Sequence, residues 1–177
     1  MVSGPNKQDE AIELVRAHLQ SAEVEFEEAV HGTFAVSLPG TRRLKTVASL
    51  VVGQHTLTTN AFVLRHPDEN LEGVYKWLLE RNRRLNAIAY AIDAFGDVYL
   101  VGHLPIAAVT PESIDAILGA VLEYADGDFN SLLELGFASA ITKEWRWRRS
   151  RGESTANLAA FAHLGGPDEP SDQVRAD

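Results

Sequence analysis

Residues 24–64 read VEFEEAVHGTFAVSLPGTRRLKTVASLVVGQHTLTTNAFVL, and the alternation within them decides the fold. Over 24–30, Val24, Phe26 and Val30 alternate with Glu25, Glu27 and Ala29; over 33–38, Phe34, Val36 and Leu38 alternate with Thr33, Ala35 and Ser37. A period of two places successive side chains on opposite faces, the pattern of half-buried strands. The stretches 44–52 and 56–64 follow, rich in β-branched residues. His31-Gly32 offers a two-residue loop with Gly free to take positive φ. Pro39-Gly40 suits the centre of a type II turn, and Gly53-Gln54 a type II′ turn. Four strands joined by such short turns form an antiparallel meander.

Outward from the meander the period changes to that of helices. Before it, residues 7–22 place Ile12, Val15 and Leu19 on one face, flanked by Ala11, Leu14 and Ala22. Asp9 and Glu10 lie in the first turn, where they complement the helix dipole. After it, Pro67-Asp68 ends the fourth strand and offers a cap, and a helix runs to about Leu85 with Leu71, Val74, Tyr75, Leu78 and Leu79 as its buried face. A hairpin follows over 86–95 and 98–104, joined at Gly96-Asp97. Thr110-Pro111-Glu112 is a helix start, with Thr as N-cap and Pro at the first helical position. That helix reaches Asp126-Gly127, and a last one over 129–149 buries Leu132, Leu133, Gly136, Phe137, Ala140 and Ile141. The expected order is α-ββββ-α-ββ-αα: an α+β fold with one mostly antiparallel sheet and helices packed on it.

The 177-residue chain suits one domain over 7–152. Residues 153–177 are acidic and, from Gly165 to Asp172, crowded with Gly and Pro, so this tail is expected to be largely disordered. Cysteine is absent, which excludes disulfides, thiolate metal sites and a Cys nucleophile. No apolar run approaches the roughly 20 residues that cross a bilayer, and the first residues carry no signal-like apolar stretch. A cytoplasmic location is expected. The net charge of −9 weighs against general nucleic-acid binding, which needs clustered cations.

Three stretches resemble a known family: Gly73-Val74-Tyr75-Lys76-Trp77-Leu78-Leu79-Glu80-Arg81-Asn82, Gly96-Asp97-Val98-Tyr99-Leu100-Val101-Gly102, and Leu122-Glu123-Tyr124-Ala125-Asp126-Gly127. In order, and with the elements between them, they resemble the YbjN family, labelled "putative bacterial sensory transduction regulator", over about residues 7–149. The resemblance implies a fold like that of type III secretion chaperones, small proteins that bind partner segments and often dimerise. It carries no catalytic motif, so no site residue is transferred from it.

Elsewhere the ordinary reading of each constellation holds the field. None of the six histidines falls in an H-x₃-H or H-E-x-x-H pair. In His66-Pro67-Asp68-Glu69 the acids read as helix cap and dipole partners rather than metal ligands. Asp93 and Asp97 read as turn residues beside Gly96. No elbow, P-loop or dinucleotide signature is present. The sequence therefore offers no catalytic, cofactor-binding or metal-binding residue.

Two features point to association instead. The segment Lys143-Glu144-Trp145-Arg146-Trp147-Arg148-Arg149-Ser150-Arg151 carries five bases and one acid. Its cations suit a helix C-terminus; alternatively Trp145, Arg146, Arg148 and Arg149 meet a partner, and residues 143–151 are the centre of any nucleic-acid module. The acidic tail could also fold back on this end. Over 86–92, Ile88, Tyr90 and Ile92 alternate with Ala87, Ala89 and Ala91, small residues that allow close approach. Either a helix of the same chain covers that alanine face, or a symmetric partner does, together with Tyr75 and Trp77 of the preceding helix. The reading reached is a non-enzymatic protein-binding or regulatory domain, dimeric, with a protein partner; the alternatives are an enzyme whose site assembles only in three dimensions and the nucleic-acid module.

Overall fold

The computed structural model describes residues 6–165; the breaker-rich run after Gly165 lies outside the described residues. The order is α1 (Lys7–Ser21), β1 (Phe26–Val30), β2 (Thr33–Pro39), β3 (Lys45–Val52), β4 (Thr56–Leu64), α2 (Leu71–Asn82), β5 (Ile88–Ile92), β6 (Val98–Pro105), α3 (Pro111–Gly127) and α4 (Phe129–Ser150). The six strands form one sheet in the order β1-β2-β3-β4-β6-β5, with every pairing antiparallel. The meander and the hairpin are as expected, and β6 joins them by pairing with β4.

One core lies on one face of the sheet. Phe34, Val36, Leu50, Leu57 and Leu100 meet Ile12, Val15 and Leu19 of α1, Val74 of α2, Ile114, Ile117 and Val121 of α3, and Leu132 of α4. The helix signals act locally as their chemistry dictates: Asn6 caps α1 through Asp9 N–H, and Thr110 and Ser113 form a reciprocal capping box ahead of α3.

Several details depart from the sequence reading. Gly32 takes positive φ at 76°, whereas Gly40 and Gly53 do not, so neither expected type II nor type II′ turn forms. The β2–β3 connection is a five-residue loop, 40–44, shaped by a carboxylate described below. A bulge between Glu28 and Val30 turns Val30 onto the outer face, where it is exposed. On α2, Leu71 and Leu79 are exposed rather than buried: Val74 and Leu78 are its buried residues, and Tyr75 and Trp77 pack partly buried beside them. Ala22 and Ala140, expected inside, are also exposed. The cap of α2 is Asn70, in the left-handed region, and not Asp68. Asp68 instead pairs with Arg65.

Glu69 does act as a cap, but of a different helix. α4 is interrupted at Phe137 (φ −145°, ψ 19°), where Gly136 O accepts from the amides of Asp68 and Glu69. The helix restarts with Ser139 N–H and Oγ–H both donating to the Glu69 carboxylate, each at 2.6 Å. A Cβ on Gly136 would come within 2.8 Å of Pro67, so glycine is what lets the β4–α2 loop dock there.

The packed chain also continues past residue 152. A 3₁₀ helix over Ala156–Leu164 lies on α4, burying Phe161; Thr142 Oγ–H donates to Leu164 O, and His163 contacts Glu134 at 3.0 Å. The single aromatic in an otherwise alanine-rich stretch anchors it.

Two inward hydroxyls, those of Thr46 and Thr59, are buried without a hydrogen-bond partner among the described residues. Leaving a buried hydroxyl unpaired costs about 1–3 kcal/mol. Thr59→Val keeps the shape and removes that cost. The expected result is a rise in unfolding free energy of about 1 kcal/mol, read from urea denaturation; a fall would mean that Thr59 holds a buried water.

Candidate functional site

The helices all pack on one face of the sheet, and the other face is uncovered by any described residue. It is built from rows of residues set side by side by the register: Ala35, Ser49, Asn60, Val101 and Ala89 form one row, and Phe62, Tyr99 and Ala91 lie along the next. Val47, Val51 and Phe62 are exposed there, and the Phe62 and Tyr99 rings meet edge to face at 5.5 Å. Of the described residues that β2 to β6 turn to this face, Lys45 at a strand end is the one with a Lys, Arg, Asp or Glu side chain. Ala89 and Ala91 are part of it, half-exposed. The expectation that a helix of the same chain covers these alanines is therefore overturned: α2 lies on the opposite face, with Trp77 against Tyr90 at 6.0 Å.

The five self-association candidates do not form one surface. Ala87 lies outside the strand, exposed, with φ 64°. Tyr75 borders a shallow apolar depression on α2 with Lys76, Leu79 and Arg83. Trp77 is half-buried against Tyr90 and the Arg81 guanidinium. Residues 75 and 77 are two apart on a helix and cannot share a face. Ala89 and Ala91 alone belong to the open sheet.

The edges of the sheet are guarded. On β5, the Asn82 carboxamide accepts from Tyr90 N–H at 2.7 Å and donates to Tyr90 O at 3.1 Å. One side-chain amide thus occupies the peptide group that an added strand would use. At the other edge, β1 is short, bulged and acidic. Both are devices that discourage pairing along an edge, and they leave the face as the open surface.

The basic end of α4 is also divided. Trp145 is half-buried beneath Gly165, where an added Cβ would lie 2.5 Å from the indole nitrogen. Trp147 is exposed on another side, with the Arg151 guanidinium 4.9 Å from its ring centre. Arg148 is held by Glu144 at 2.6 Å and by Ser154 O. Arg146 is exposed and shares a depression with Ser139, Thr142 and Lys143; Arg149 is exposed nearby. No pair of stacked indoles is available to a single-stranded nucleic acid.

Sequence reasoning missed two buried carboxylates at the α3–α4 junction, Asp126 and Asp128. Asp126 Oδ1 accepts from the amides of Thr41, Arg42 and Arg43 at 2.8–3.0 Å, and Oδ2 from the Thr41 hydroxyl at 2.7 Å. Burial of this carboxyl works to raise its pKa; the Arg43 amide, the Thr41 hydroxyl and amide and the Arg42 amide more than reverse that and hold it at about 2. Asp128 takes a two-pronged ion pair from Arg81, at 2.8 and 2.7 Å, and the Tyr90 hydroxyl at 2.9 Å. Burial, and then the Asp128 charge, push the Tyr90 phenol far above its ordinary range. Arg81 is flanked by the Trp77 and Tyr124 rings. Every acceptor and donor here is turned inward on the protein's own elements, so the cluster is a brace joining the β2–β3 loop, α2, β5 and the α3–α4 turn. Among the described residues no group of three His, Asp or Glu could hold a metal. The Asp97 carboxylate is likewise absorbed, by His66 N–H, and that of Asp93 by its own turn.

Comparison with known proteins bears on the family and the fold. The YbjN family, described as "Putative bacterial sensory transduction regulator", matches residues 11–134. An uncharacterised protein of Mycobacterium leprae is 60% identical over 129 residues, 73% of this chain and 70% of that one. An uncharacterised protein of Mycobacterium tuberculosis strain H37Rv is 57% identical over the same length and shares. Among solved structures, a chain of the ExsC–ExsE complex superposes with a TM-score of 0.52 at 19% identity, covering 72% of this chain and 97% of that one. A chain of the HopA1–SchA chaperone–effector complex gives 0.49 at 14% identity, with 65% and 89% covered. The expected fold, α+β with a mostly antiparallel sheet and like that of the type III secretion chaperones, is the fold of this chain.

Proposed function

This chain belongs to the YbjN family, and on that premise we propose that it is a non-enzymatic, protein-binding regulatory domain of the cytoplasm that pairs with a second copy of itself through the open face of its sheet. The observation that carries the reading is that face: six strands wide, charged within its strands at Lys45 and, on the β1 edge, at Glu27, and apolar where Val47, Phe62, Tyr99 and Val101 lie. Exposed apolar surface of this extent marks an interaction site. Its size suits a dimer. Five strand spacings of about 4.8 Å and about seven residues of about 3.3 Å project roughly 550 Å², and side-chain relief brings this towards the ~800 Å² per partner of a standard interface. Both strand edges are blocked, so two sheets would meet face to face, about 10 Å apart, with the alanines allowing close approach. The absence of cysteine is consistent with a reducing compartment, and the inward-turned carboxylates leave no free acid–base pair in the brace.

The test is the solution mass of the wild type and of Ala89→Arg. Ala89 stands opposite Val101 on the open face, so the arginine reaches water in a lone chain but puts two buried cations into the paired one. The expected result is a dimer for the wild type at about 100 µM, well above the roughly 1 µM Kd of a modest interface, and a monomer with unchanged far-ultraviolet circular dichroism for the variant. A monomeric wild type, or a dimer that survives the arginine, overturns the reading.

A further inference from the structure

We propose that the acidic segment 166–177 docks on the cationic flank of α4 formed by Lys143 and Arg146, and so screens that flank from anionic partners. The flank is a depression lined by Ala138, Ser139, Thr142, Lys143 and Arg146. Lys143 and Arg146 are exposed and have no carboxylate partner among the described residues. The nearest acid on the same helix, Glu144, is already engaged by Arg148. Ser139 and its amide are taken by Glu69, so the local hydroxyl and helix start are not what attracts an anion; the two cations are.

The chain itself is delivered to this place. Leaving α4 it turns back along the helix: Arg148 holds Ser154 O, Phe161 is buried, and Thr142 holds Leu164 O. Gly165, the last described residue, is buried against Trp145. Thr142 belongs both to this contact and to the depression, so the chain leaves at the rim of the cationic flank. The twelve residues that follow contain Asp168, Glu169, Asp172 and Asp177 against one base, Arg175. Asp168 is three residues beyond Gly165, a reach of about 10 Å at ~3.3 Å per residue, comparable to the Debye length of about 10 Å at 0.1 M salt. Opposite charges tethered at that range attract each other in preference to free ions.

Tethering also sets the size of the effect. A linker of a few residues holds the acids at an effective concentration of about 1 mM. If the tethered acids bind the two cations with an intrinsic dissociation constant of about 0.1 mM, a free acidic peptide competing for the same cations is weakened about tenfold.

The experiment compares the full chain with one ending at Gly165, using a fluorescent deca-glutamate peptide at 50 mM salt as the probe. Ending the chain at 165, rather than at 152, keeps Phe161 and its packing. The expected result is about tenfold tighter binding by the shortened chain, abolished by Lys143→Glu with Arg146→Glu. Equal binding by the two chains, or a gain that survives the double substitution, overturns the proposal. Carbodiimide coupling of the full chain reads the contact directly, since Lys7, Lys45, Lys76 and Lys143 are its four lysines. Coupling of Lys143 to Asp168 or Glu169, lost in 0.5 M salt (Debye length then roughly 4 Å), supports docking; tail carboxylates coupled only to the other lysines, or to none, rule it out.

Discussion

Asp128→Ala is expected to lower the unfolding free energy by about 3–5 kcal/mol, the range for breaking a buried ion pair by removing one partner. The carboxylate is buried, and each oxygen is used: Oδ1 by Arg81, Oδ2 by Arg81 and by the Tyr90 hydroxyl. Alanine leaves the guanidinium lodged between Trp77 and Tyr124 without its counter-charge, and leaves the hydroxyl with Tyr124 O alone. It also uncouples three elements at once, because Arg81 is on α2, Tyr90 on β5 and Asp128 at the start of α4. A domain of this size has about 5–15 kcal/mol in total, so the variant should unfold at a much lower urea midpoint. Tyr90→Phe removes one neutral donor and should cost only about 1–2 kcal/mol. A loss below 1 kcal/mol for Asp128→Ala would show that water replaces the carboxylate and that the brace is not a unit.

This brace shows what the sequence could and could not disclose. The period-two alternation of β2 placed Phe34, Val36 and Leu38 inside and Thr33, Ala35 and Ser37 outside, and the structure agrees, because strand register is strongly specified where one face is buried. Thr110-Pro111 started α3 for a reason confined to four residues. By contrast, Asp126 and Asp128 stand beside Gly127, where acids are ordinary turn residues; nothing local says that their partners are 85 and 47 residues away. Glu69 was legible as a cap, yet the helix it caps begins 70 residues later. The open face was half-legible: Ala89 and Ala91 revealed a surface of small residues, but whether a helix covers it depends on which side α2 crosses, and period alone does not give that. The boundary at 152 failed to anticipate Phe161, since one buried aromatic has no period.

Asp126 should make the stability of the protein acid-sensitive in a narrow window. Its pKa is depressed from 3.8 to about 2, so the charged form is favoured by the fold; the resulting stability is fully present above pH 3.8 and is lost as pH falls towards 2. A depression of this size corresponds to roughly 2 kcal/mol at about 1.4 kcal/mol per pKa unit. Glu28, held at about 2 by Arg16 and then by the Gly32 amide, titrates over the same range, so the informative quantity is the difference between wild type and variant. Asp126→Asn preserves an oxygen for the three loop amides and an amide group for the Thr41 oxygen, and removes only the charge. It should cost roughly 2 kcal/mol at pH 7 and much less at pH 2, where the wild type has lost the charge as well. Asp126→Ala removes all four bonds, frees the 40–44 loop, and should cost about 3–5 kcal/mol at neutral pH. The loop would then lose the constraint that keeps Arg43 on Phe129 and on the carbonyls of Phe62 and Val63, next to the open face, so hydrogen exchange should accelerate at the Thr41, Arg42 and Arg43 amides first. A cost for Asp126→Asn that is the same at pH 2 as at pH 7 would mean that shape, and not charge, holds the loop.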